Sequence, residues 1–157
     1  MIICAGESLI DMVSFRGEPE YTPHVGGSNF NSSIALGRLG SNSYYFGAIS
    51  NDSYGELIED CLRGSNVKED FIIKTNRPTT LAYADVVDGI AEYTFVDEHS
   101  AGRMLDQTSL KPFVKIIKNN KSTYAIWNRG DLISHNSYLI FFLVIIIINI
   151  VFIQKNL

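Results

Sequence analysis

The stretch Val25-Gly26-Gly27-Ser28-Asn29-Phe30-Asn31-Ser32-Ser33, running on to Leu36-Gly37-Arg38-Leu39-Gly40, decides the fold. Paired glycines make a turn, and Ser28 can cap a helix by accepting a backbone N–H. Ile34, Leu36 and Leu39 then keep helical apolar spacing until Gly40 stops it. Working outward, Met1 to Ala5 is a short apolar run ending at Gly6 and reads as a central strand. Ser43 to Gly47 is the next strand. Ser53 to Arg63 reads as a second helix, with Leu57, Ile58, Cys61 and Leu62 on its inner face and Gly64 as its stop. Phe71 to Ile73 is a third strand. Strand, helix, strand, helix, strand predicts an α/β fold: a parallel sheet covered by helices.

A different pattern interrupts this alternation. Thr79 to Val87 and Ile90 to Val96 flank Asp88-Gly89, a pair that favours a tight hairpin. Met12 to Thr22, with Gly17 and Pro19, is a second candidate for the same small antiparallel sheet. Beyond it, Thr108 to Asn119 predicts a helix helped by Pro112, and Ser122 to Trp127 a last strand.

With 157 residues, 46% hydrophobic and 19% charged, the chain has enough apolar material for one core. Thirteen Lys+Arg against seventeen Asp+Glu leave a net charge of -4, the wrong sign for a nucleic-acid partner. Cys4 and Cys61 make no disulfide framework, no Cys/His group has metal-ligand spacing, and no signal peptide is seen, so a cytoplasmic location is the expectation.

Residues 136–157 differ in kind. They contain no Gly, Ala, Pro, Asp, Glu or Arg, and fifteen of the 22 are Ile, Asn, Phe, Tyr or Lys. Read as a membrane helix, Leu139 to Ile153 would span about 22 Å, short of the ~30 Å hydrocarbon core. Read as a buried strand, it is long for a run without turn signals. All five dominant residue types have A/T-rich codons, so a third reading is an out-of-frame tail. That third reading is preferred over a marginal membrane segment, with the native sequence expected to end between Trp127 and Asn136.

Five pieces carry a family likeness. The first is Gly26-Gly27-Ser28-Asn29-Phe30-Asn31-Ser32-Ser33 with Leu36-Gly37-Arg38-Leu39-Gly40. In order and spacing with it stand Gly6-Glu7 with Asp11, Phe46-Gly47-Ala48-Ile49-Ser50-Asn51-Asp52 with Gly55, and Arg77-Pro78-Thr79-Thr80-Leu81-Ala82. Over about residues 2 to 127 the sequence resembles the ribokinase-like (PfkB) sugar kinases. The run from Tyr93-Thr94-Phe95 to Ser100-Ala101-Gly102-Arg103-Met104-Leu105 is similar to the fructokinase branch. Ser50, where many members carry glycine, is a departure.

The resemblance implies a ribokinase-like parallel sheet flanked by helices, with a small antiparallel β lid, truncated after about half the fold. Residues 1–135 would be the N-terminal part of the kinase domain, with lid segments at about 12–24 and 79–97. By the family pattern Asp11, Gly26, Gly27 and Asn31 would contact sugar hydroxyls. Two glycines let backbone approach a ligand, Asn31 offers a donor and an acceptor, and Asp11 accepts from hydroxyls. Taken singly, the glycines are a plain turn, Asp11 a solvated strand end and Asn31 helix surface; only the family pattern places them together. His24 and His99 read as surface residues. Phe95 and Tyr83 read as packing, and Asp85, Asp88, Glu92, Asp97 and Glu98 as a solvated face.

Between Thr79 and Gly102 there is no Lys or Arg, which disfavours a sugar acid and suits a neutral, fructose-like sugar. For the full-length family, ATP and Mg²⁺ are the expected cofactors. Their binding residues belong to a later Asp-Thr-x-Gly-Ala-Gly-Asp motif that also supplies the base, and this sequence has neither it nor a Gly-x-x-x-x-Gly-Lys loop. No catalytic, cofactor-binding or metal residue is therefore assigned, and the chain is expected to be inactive alone. The competing reading is a non-catalytic sugar-binding module, or one that forms a homodimer through the lid, with tethering by the tail left open.

Overall fold

The computed structural model describes residues 1–15, 19–88, 90–105, 111 and 124–128. They form two four-stranded sheets. The chain runs β1 (Ile2–Gly6), β2 (Leu9–Phe15), β3 (Thr22–Gly26), α1 (Ser28–Arg38), β4 (Ser43–Ser50), α2 (Ser53–Gly64), β5 (Lys68–Thr75), β6 (Thr80–Val87), β7 (Ile90–Val96), a 3-10 turn (Ala101–Met104) and β8 (Tyr124–Asn128).

The larger sheet has the order β5-β4-β1-β8, with every pair parallel. Strand β1 lies inside it and is apolar on both faces because both are covered; Ile3, Cys4 and Ala5 are fully buried. On one face Phe30 and Ile34 of α1 and Ile58 and Leu62 of α2 pack with Tyr45 and Ile49 of β4. On the other, Ile3, Ala5, Phe46 and Ala48 meet Ala101 and Leu105 around the 3-10 turn. Each large side chain so buried contributes about 1.5–3 kcal/mol. Burial also pushes the Cys4 thiol up to about 11, leaving it a packing residue rather than a nucleophile.

Local details depart from the sequence reading in places. The cap of α1 is Gly27, not Ser28: Gly27 takes φ 119, and its carbonyl accepts from Asn31 N–H at 2.8 Å. Leu39 is 81% exposed because it lies just past the last helical residue. Gly40 stops the helix as expected, through bonds from Gly40 N–H to Gly37 O and Ser41 N–H to Leu36 O, both 3.0 Å. Helix α2 runs through Gly64, and its stop is Asn66 at φ 57, with Val67 N–H reaching Leu62 O at 3.0 Å. Asparagine tolerates the left-handed region, so it can replace glycine there. Leu57 is 45% exposed; the inner stripe is Ile58 and Leu62, with Cys61 packed beside it.

The smaller sheet has the order β3-β2-β6-β7. Its outer pairs are antiparallel and its central pair, β2 with β6, is parallel, so it is a mixed sheet. The Asp88 hairpin forms as expected, with Val87 opposite Ile90 and Asp88 at φ 51. The expected last strand is β8, while the helix over 108–119, apart from Lys111, and the segment 136–157 lie outside the described residues.

Asp52 ties the two sheets together. From the N-cap of α2, its Oδ1 accepts from Gly55 N–H (2.8 Å) and the Thr79 hydroxyl (2.7 Å), and its Oδ2 from Thr79 N–H (2.8 Å). Thr79 is buried and immediately precedes β6. Burial pushes the Asp52 carboxyl up, but the bonds from Thr79 and Gly55 outweigh it and hold it below its ordinary value. Asp52→Ala leaves a helix end and two buried Thr79 groups without their acceptor, and should cost about 2–4 kcal/mol. A depressed carboxyl stabilises the fold above its unfolded value near 4 and ceases to as pH falls through the folded value. In urea denaturation, the advantage of the wild type over Asp52→Asn should therefore shrink as pH is lowered from 7 to below about 4.

Candidate functional site

Strand β2 leaves β1 through the Glu7-Ser8 corner, and β3 returns beside it directly into α1. Pairing sets Leu9 opposite Gly26 and Asp11 opposite His24. Opposed residues share a face, so His24, Asp11, Ala82 and Phe95 form one row across the small sheet; Thr22, Val13, Ala84 and Tyr93 form the next. The opposite face sends Ile10, Met12 and Leu81 toward the core.

Asp11 sits mid-strand on β2, and Gly26 ends β3. A Cβ on Gly26 would collide with Asp11 Oδ2, so the carboxylate occupies the space the missing side chain leaves. Gly27 serves a different end. Its φ of +119 is closed to most residues, and an added Cβ would stand 2.5 Å from the Glu7 carbonyl oxygen. Asn31 is exposed on the first turn of α1, bonded through its backbone to Gly27. The structure thus joins Asp11 to Gly26 and Gly27 to Asn31 around one corner.

Asp11 is half-buried, which pushes its carboxyl above the ordinary value; His24 across the strand pair partly offsets this. Among the described residues its carboxylate has no hydrogen-bond partner. Two neighbours went unassigned in the sequence reading. Asn29, 3% exposed, donates from Nδ2 to Ala5 O at 2.7 Å and fastens α1 to β1. His24 is exposed as expected, yet it faces Asp11. The acidic group of the small sheet is not all solvated: Asp85 accepts from the Tyr21 hydroxyl at 2.8 Å, and Asp97 pairs with Arg103. A separate cavity of about 380 Å³, lined by Ser50, Asn51, Asp52, Asn76 and Pro78, lies at the ends of β4 and β5 and includes none of the four predicted residues.

A triphosphate does not fit these groups. The N-terminus of α2, otherwise an anion site, is filled by the Asp52 carboxylate, and the start of α1 lies beside Asp11. Among the described residues no three His, Cys, Asp or Glu side chains stand together as metal ligands.

The sequence pattern of the pfkB family carbohydrate kinases matches residues 1–128. The chain belongs to that family. A fructokinase of Rhizobium leguminosarum bv. trifolii is 43% identical over 113 residues, covering 70% of this chain and 35% of that protein. The crystal structure of a Xylella fastidiosa fructokinase with bound ATP superposes with TM-score 0.65 at 26% identity, over 72% of this chain and 35% of that one. Fructokinase from Halothermothrix orenii gives 0.62 at 28%, over 67% and 40%. In these matches the chain spans 35–40% of the length of the relatives. No helix among the described residues is long and apolar enough to cross a membrane.

The two glycines of this pfkB chain separate by mutation. Gly27→Ala presses a Cβ onto backbone and should cost about 2–4 kcal/mol. Gly26→Ala displaces only the end of the Asp11 side chain and should cost about 1 kcal/mol. Thermal melts of the two variants, compared with the wild type, measure the difference.

Proposed function

We propose that this chain is the sugar-binding portion of a fructokinase-like carbohydrate kinase, and that Asp11, Gly26, Gly27 and Asn31 form its sugar contacts. The observation that carries the reading is the Asp11 carboxylate. It is half-buried, seated against Gly26 at the entry to α1, and has no hydrogen-bond partner among the described residues. A carboxylate so placed accepts from two neighbouring hydroxyls, Asn31 can both donate and accept, and the glycines leave room for a ring. The small sheet, carrying Ala82, Ala84, Tyr93 and Phe95 on the Asp11 side, acts as a lid that excludes water from the hydroxyl to be phosphorylated.

The charge balance supports a neutral sugar. Thr79 to Gly102 contains no Lys or Arg. Arg103, just beyond, is taken by Asp97. A carboxylate on the sugar would meet Asp11 without a free guanidinium to balance it. In the family, ATP and Mg²⁺ supply the phosphoryl group and its charge neutralisation. Nothing described in this chain suits them, and the chain alone should not turn over ATP.

The second reading, a non-catalytic module that dimerises through the small sheet, is favoured by one observation. Strand β7 is exposed along its whole length and carries Ile90, Tyr93, Phe95 and Val96 at 53–70% exposure. Its two rings stack with centroids 6.1 Å apart.

Calorimetric titration of the full chain with fructose and with a keto-deoxy sugar acid tests the proposal. Fructose should bind more tightly, and Asp11→Ala should lower its affinity at least tenfold (a charged hydrogen-bonding group contributes about 1.5–3 kcal/mol). Tighter binding of the acid, or indifference to the loss of Asp11, would refute it.

A further inference from the structure

Three consecutive residues at the base of the small sheet are bonded outside it. Pro78 O accepts from Ala101 N–H at 2.8 Å, Thr79 donates its N–H and hydroxyl to Asp52, and the Thr80 hydroxyl donates to Ser100 Oγ at 2.8 Å. The last of these joins two buried side chains, Thr80 3% and Ser100 1% exposed, that stand 20 residues apart in the chain. Thr80 opens β6 opposite Leu9, which itself faces Gly26, so it lies on the Asp11 side of the sheet, one row below Asp11 and Ala82. It is too deeply buried to touch a ligand. Ser100 belongs to the segment that brings the hairpin back to the body of the fold. Its N–H donates at 3.1 Å to the carbonyl of Asp97, the residue just past β7, and the Asp97 carboxylate pairs with Arg103. Ala101 and Leu105, which follow, are buried against Ile3, Ala5, Phe46 and Ala48. Both legs of the β6–β7 hairpin are therefore fastened to one anchored turn.

We infer that Thr80 is a positioning residue for the sugar site: its hydrogen bond to Ser100 holds the hairpin, and with it Ala82 and Phe95, in the row that contains Asp11. This rests on the proposed sugar role of Asp11. Asp52 restrains the backbone ahead of β6, whereas the Thr80–Ser100 bond ties the entering leg of the hairpin to the leaving one. Both hydroxyls are shielded from water, so neither can exchange its partner for solvent while the hairpin stays in place. Gly102 leaves the room this requires: a Cβ there would stand 2.8 Å from Thr80 Oγ1 and 3.7 Å from Ser100 Oγ. A covering strand contributes to affinity only in the fraction of molecules in which it is in place. Loosening its base therefore lowers the apparent affinity without removing any sugar contact.

The test uses the full chain and three variants. Thr80→Val removes the hydroxyl and keeps the shape, Thr80→Ser keeps the hydroxyl, and Gly102→Ala leaves both hydroxyls in the chain but pushes Thr80 Oγ1 aside. Amide hydrogen exchange without ligand reads the hairpin directly. In Thr80→Val and Gly102→Ala the β6–β7 amides should quicken more than those of β4 and α2. In calorimetric titration both variants should bind fructose about fivefold more weakly, the weight of one neutral hydrogen bond, with Thr80→Ser within about twofold of the wild type. A purely structural bond would quicken all these amides alike and leave the affinity of the folded protein unchanged; either result overturns the inference. So does a loss in Thr80→Ser as large as that in Thr80→Val. Should Thr80→Val not fold, Gly102→Ala carries the same readings. If the wild type bound no fructose while the hairpin amides still quickened, the hold on the hairpin would stand and the sugar role of Asp11 would fall.

Discussion

The approach of Gly27 to the Glu7–Ser8 corner positions every candidate ligand group in this chain. A Cβ at residue 27 would lie 2.5 Å from the Glu7 oxygen and 3.2 Å from Ser8 Cα, so α1 begins as close to the end of β1 as a backbone allows. That distance lets Asn29 Nδ2 reach Ala5 O at 2.7 Å, while the Tyr45 hydroxyl reaches Gly6 O at 2.8 Å. Two buried carbonyls at the end of a central strand are thereby satisfied by side chains, where each left unpaired would cost about 1–3 kcal/mol. The corner is fixed before any ligand arrives, and Asp11, Gly26 and Asn31 take their places from it.

The small sheet is attached at two such corners. Strand β2 rises from the Glu7–Ser8 corner, and β6 rises from Thr79, held by the Asp52 carboxylate at the start of α2. Both strands therefore leave the body of the fold side by side and in the same direction, which is why their pairing is parallel and begins with Leu9 opposite Thr80. The hairpin logic of the sequence accounts for the antiparallel outer strands only. Residues near this base are buried, including Leu9, Thr80 and Ala82, whereas Phe15, Val87 and Ile90 at the far end are exposed. The face bearing Asp11 is thus held firmly where it meets the core and opens to solvent away from it.

What could be read from sequence follows the range of the interactions involved. Glycine pairs, apolar spacing and the Asp88-Gly89 turn act within a few residues, and they located α1, α2 and the β6–β7 hairpin. The family pattern supplied the four proposed sugar contacts as a set. Contacts between distant segments were not legible. His24 looked like any surface histidine until the β2–β3 register set it across from Asp11, and a slip of one residue would have put it on the other face. Asp97 looked solvated until the fold brought Arg103 to it. Asp52 was within reach, since an aspartate just ahead of a helical pattern is a cap signal, but its second partner, Thr79, is 27 residues away.

The positive ends of the two helices bear on the chemistry this part of the fold can support. In parallel α/β structures the helix N-termini gather beside the C-terminal ends of the strands, where each offers roughly half a positive charge and several free N–H groups to an anion. Here α2 spends that capacity on its own Asp52, and α1 starts beside Asp11. A carboxylate at each end cancels the attraction a phosphate would feel. The same carboxylates are good acceptors for uncharged hydroxyl groups. Arg103, the nearest cation after the acidic strands, is drawn off by Asp97. Both helix starts among the described residues thus stand beside a carboxylate, an arrangement that suits the neutral sugar proposed above better than a phosphate.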